Sequence, residues 1–166
     1  AGGALITFMA PMSDSAALST LALLCLTVAA ALARWQAGTF SDQFGPQAFI
    51  WPLVLLTTIG MVVLAWGVRD PQSTDVVALL LGATLVGISY GALQNLTLVM
   101  AFQAVSRPHY GSASAVWNIG FDAGTGLGSV MIGMIAAGSS FSTALVVGGA
   151  LSLLTLPLAV RRPRLP

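Results

Sequence analysis

Apolar residues run along this chain in long blocks, neither alternating as in half-buried strands nor confined to one helical face. Five blocks lie near 15–33, 47–68, 76–103, 113–137 and 141–160. Each holds about 19 to 28 residues, and about 20 are needed to cross the hydrocarbon of a bilayer as a helix. Barrel strands need only about ten alternating residues, so the pattern excludes a barrel. Residues 1–12, "AGGALITFMAPM", read as the last part of a further span whose beginning is missing. The chain opens on Ala1 without a basic leader, which predicts a fragment of a longer protein and not a signal peptide. The connectors at 12–14, 34–46, 69–75, 104–112 and 138–140 are too short to hold a soluble domain. The pattern predicts an all-α membrane protein: a six-helix half-bundle, one partial and five complete spans over 1–160, with a basic tail at 161–166.

Turn residues support these boundaries. Gly45-Pro46 stands where the third helix begins, since proline is tolerated in the first turn. Asp70-Pro71 and Arg107-Pro108 break the chain between helices. Asp75 is placed to cap the helix that starts at Val76.

Composition agrees. The 166 residues are 57% hydrophobic and 7% charged, against about 25% charged in soluble domains. Six arginines and five aspartates could not cover a soluble surface without large apolar patches. The net charge of +1 gives no footprint for nucleic acid. Cys25 and His109 are each alone in the sequence, which excludes an internal disulfide and leaves no metal or cofactor motif. Basic residues set the orientation. Arg34, Arg107, Arg161, Arg162 and Arg164 share one side with Asp42; Arg69, Asp14, Asp70 and Asp75 lie on the other. That asymmetry predicts a cytoplasmic C-terminus.

The stretch "RWQAGTFSDQFG", residues 34–45, places Gly38, Asp42 and Gly45 in the spacing Gly-x-x-x-Asp-x-x-Gly, after Arg34. In a loop between two spans this resembles the loop motif of the major facilitator superfamily. Gln43, Pro46 and Gln47 stand where the fuller motif carries basic residues, so the stretch is similar to the weaker copy between the eighth and ninth helices. Two spans later, "SRPHYGSASAVWNIGFDAGTGLG", residues 106–128, resembles the loop and glycine-rich eleventh helix of bacterial facilitator transporters, including drug and sugar efflux members. The resemblance covers essentially the whole chain. It implies the C-terminal half of such a transporter, helices seven (partial) to twelve, in the bacterial inner membrane. It also implies a missing N-terminal six-helix half as partner, and alternating access that moves a small-molecule solute coupled to protons.

Within this frame several residues carry candidate chemistry. Arg34 reads as the end of one helix and Asp42 as lying just before the next, each favoured by the dipole there. Together with Gly38 and Gly45 they read as a topology-fixing hairpin, a latch between the halves, or both. In the span 113–137, Ser114, Asn118, Asp122, Thr125 and Ser129 form one polar stripe. Gly120, Gly124 and Gly128 form a second row roughly opposite, expected to pack helices closely. Asp122 is the one acid well inside a span, near mid-bilayer, where a charge costs at least about 2.5–3.5 kcal/mol on insertion scales. It is a candidate for proton coupling or solute binding, or for a structural hydrogen bond. Any cationic partner is expected from the missing half. In the span 76–103, Thr84, Gly87, Gly91, Gln94 and Asn95 read as one small, polar face, with the two amides as solute-contact candidates or as interhelical hydrogen bonders. Trp35, Trp51 and Trp66 suit span ends, while Trp117 and Phe121 share a face and suit core packing. An intramembrane enzyme would need catalytic residues that cannot be assembled here. The alternative to transport is a stand-alone scaffold bundle.

Overall fold

The computed structural model describes residues 2–13, 15–70 and 72–160. The 161–166 tail, Asp14 and Pro71 lie outside them. The described chain is helical throughout, as the lipid-facing backbone requires: each N–H and C=O must be satisfied inside its own segment. The helices are α1 (Gly2–Phe8), α2 (Ala16–Phe44), α3 (Gln47–Gly67), α4 (Val76–Gln103), α5 (Tyr110–Gly138), α6 (Phe141–Leu154) and α7 (Leu156–Val160), with 3-10 turns at Ala10–Met12 and Arg107–His109. Five helices, counting α6 with α7 as one span, are long and apolar enough to cross a membrane.

Local chemistry sets the helix ends. Ser15, Asp75 and Ser140 cap α2, α4 and α6, each side-chain oxygen accepting from the backbone N–H three residues on. Pro157 has no N–H for the α6 ladder, and the last span breaks at Thr155 into α6 and α7. Gly45 turns α2 into α3 with φ 79° and ψ 147°, a conformation nearly restricted to glycine.

One expectation fails here. The stretch 34–46 is not a loop: α2 continues through it to Phe44. Ala30, Ala37 and Ser41 recur at helical spacing on a buried face, and Ala37 packs with Ala92, Leu96, Phe49 and Leu53. Tertiary contacts therefore hold as helix a segment whose charges resemble a loop. Asp42 sits in the last turn of α2 and not at the start of α3, and Arg34 lies ten residues inside α2. Trp35, 75% exposed, is likewise within α2 and not in a loop.

α4 is the most buried span and packs most extensively on α2 and α3. Glycines allow the approach. Gly87 and Gly91 face the α2 backbone at Leu26 and Ala30, while Gly82 faces α3 at Gly60 and Leu64, leaving no room for a Cβ. The main core of Leu5, Met9, Leu26, Met61, Leu64, Leu79, Val86 and Leu145 fills the end of the bundle near Gly67. Polar ties add to it: Thr57 Oγ1 donates to Ser89 Oγ at 2.9 Å, and Ser142 Oγ donates to Ala65 O at 2.8 Å. α5 is the least buried span.

Candidate solute cavity and polar face

Between α3, α4, α5 and α6, with the start of α1 closing one side, lies a cavity of about 560 Å³. α4 contributes Val86, Ser89, Tyr90, Leu93, Gln94 and Thr97, the i, i+3, i+4, i+7 spacing that puts side chains on one helical face. α5 contributes Gly120, Phe121, Gly124, Thr125, Gly128 and Met131. No lining residue among the described residues is charged.

Most hydroxyls on this surface are already engaged. Thr57 bonds Ser89, and Ser89 Oγ donates to Val86 O at 3.1 Å. Thr97 Oγ1 donates to Leu93 O at 2.6 Å and accepts from Trp117 Nε1 at 3.1 Å. Gln94 Oε1 differs: it is buried and has no hydrogen-bond partner among the described residues. Leaving such an acceptor desolvated and unmatched costs about 1–3 kcal/mol. Nearby, Trp117 stacks on Phe121 with centroids 5.0 Å apart, and Phe121 meets Tyr90 at 5.8 Å, joining α5 to α4.

The candidate residues divide. Gln94 and Thr125 line the cavity. Asn95, one position on, turns toward α2 and donates from Nδ2 to Arg34 O at 2.6 Å. It acts as an interhelical tie, on the side of α4 that carries Gly87 and Gly91. Gly38 stands opposite, where a Cβ would lie 3.7 Å from Asn95 Nδ2. Asn118 and Asp122 do not line the cavity and are exposed on α5. Asn118 Nδ2 donates to Ser114 O at 2.8 Å within its own helix.

Gly120, Gly124 and Gly128 do not pack against a neighbouring helix within the described residues. A Cβ at any of them meets nothing within 4 Å, because the row opens onto the cavity. Sequence reasoning missed Tyr90, Ser89 and Thr97, although their helical spacing with Gln94 was the available signal.

A transmembrane helical bundle with a cavity walled by polar and glycine faces fits many membrane proteins. The comparison with known families decides among them: residues 1–166 match the family model described as Major Facilitator Superfamily. The chain belongs to this superfamily. No curated protein and no solved structure matches it. Membership makes it an integral membrane protein of a solute-transport family, not of an enzyme family.

Proposed function

We propose that this chain is the C-terminal half of a bacterial inner-membrane secondary transporter, which exports a small solute by alternating access coupled to protons. The observation that carries the reading is the uncharged cavity beside a helix whose mid-span carboxylate, Asp122, is exposed on an adjoining face. An acid at that depth needs a partner, water or a proton, so its protonation can be linked to the conformation that exposes it. The exposed polar side of α5, with Asn118 and Asp122, is the surface offered to the N-terminal six-helix half. Gly38 and Asp42 at the end of α2 and Gly45 at its turn into α3 form a latch at the inner end, and the arginine-rich tail holds that end in the cytoplasm.

The test is transport by the full-length protein in proteoliposomes with an imposed pH gradient. Asp122→Asn is expected to abolish uphill transport while leaving downhill exchange measurable. Gradient-driven transport that persists in Asp122→Asn would remove the proton role.

A further inference from the structure

We propose that the cavity takes an uncharged, largely apolar solute bearing one N–H or O–H group that donates to Gln94 Oε1. This deepens the transport reading and rests on it. The volume of about 560 Å³ falls within the roughly 300–1,000 Å³ of cavities that enclose drug-sized molecules. The wall is apolar apart from hydroxyls and one amide, and among the described residues it holds no charge. An ion entering it would lose hydration and gain no counter-charge from the lining.

Recognition is narrow as well. The hydroxyls of Thr57, Ser89 and Thr97 are bonded to each other or to backbone, so they offer little to a ligand. Gln94 Oε1 is the buried acceptor without a partner among the described residues. A ligand donor removes that deficit, whereas a ligand lacking one leaves it in place. The row Gly120, Gly124 and Gly128 supplies width, since a Cβ at any of them meets nothing within 4 Å among the described residues. The Asp122 carboxylate lies off the lining, so the solute and the proton use different faces of α5.

A matched set of probes tests this on the full-length protein in nanodiscs. N-phenyl-1-naphthylamine is neutral with one N–H; its N-methyl derivative lacks the donor; 5-anilinonaphthalene-1-sulfonate keeps the donor but adds a negative charge. The unmodified protein is expected to bind the first at least about tenfold more tightly than either of the others. Gln94→Leu is expected to erase the difference between the first two. Gly124→Leu, which fills open space, is expected to abolish binding of all three without lowering the Tm of the probe-free protein. Equal affinity for the N-methyl compound, preference for the sulfonate, or unchanged binding in Gly124→Leu would each overturn the proposal. Proteoliposome assays separate it from the transport reading. Probe binding as described with no solute movement leaves a ligand cavity and sinks transport. Transport of a solute unaffected by both substitutions sinks the cavity assignment alone.

Discussion

Gly45 shows how one residue can be fixed by backbone geometry. Its φ of 79° with ψ of 147° is nearly closed to residues with a Cβ, and its N–H bonds Ser41 O at 2.9 Å to finish α2. Gly45→Ala should cost about 1–3 kcal/mol, read as a lower Tm of the purified protein. An unchanged Tm would mean that the turn relaxes without strain. Gln94 and Asn95 show a different limit. Adjacent in sequence, they were grouped as two amides on one face. One step along a helix rotates a side chain by about 100°, and here it carries Gln94 into the cavity and Asn95 onto α2. Amide chemistry was legible from the sequence; the direction each amide points was not.

At the scale of elements, most helices follow from apolar run length, and α4 spans Val76–Gln103 as its apolar run predicts. α2 departs from that rule. Arg34, Gln36 and Asp42 look like loop residues, yet the buried positions Ala30, Ala37 and Ser41 continue the helix against α4 and α3. Gln36→Pro would be harmless in a loop. In this helix it should cost about 3 kcal/mol or more, measurable as thermal or detergent-induced unfolding. The two glycine rows separate by the same logic. Gly91→Ala drives a methyl into the Ala30 backbone and should lower the Tm, whereas Gly124→Ala meets open space and should leave it unchanged. Equal effects at the two sites would contradict the packing described. The row on α5 was expected to pack because small residues in membranes mostly do. It lines the cavity because no other described helix reaches that face.

For the whole molecule, α4 anchors the bundle while α5 leaves most of its surface uncovered. Two sides of α5 differ: Val116, Ile119, Leu127 and Val130 present an apolar strip suited to lipid, and Asn118 and Asp122 present a polar one. In the full-length protein with Cys25→Ser, Asn118→Cys should react with a membrane-impermeant thiol reagent, and Leu127→Cys should not. Reaction at neither position would place the polar face against lipid or sealed protein and argue against an aqueous path there. The sequence by itself determined the membrane class, the number of spans and the superfamily resemblance. These depend on run length and composition, because an apolar segment in lipid has to satisfy its own backbone as a helix. The tertiary structure decided that α2 continues past Arg34, that Gln94 and Asn95 part company, and that the α5 glycines border space. Those outcomes depend on which neighbour occupies each side of a helix, and a linear pattern of residues does not encode neighbours distant in sequence.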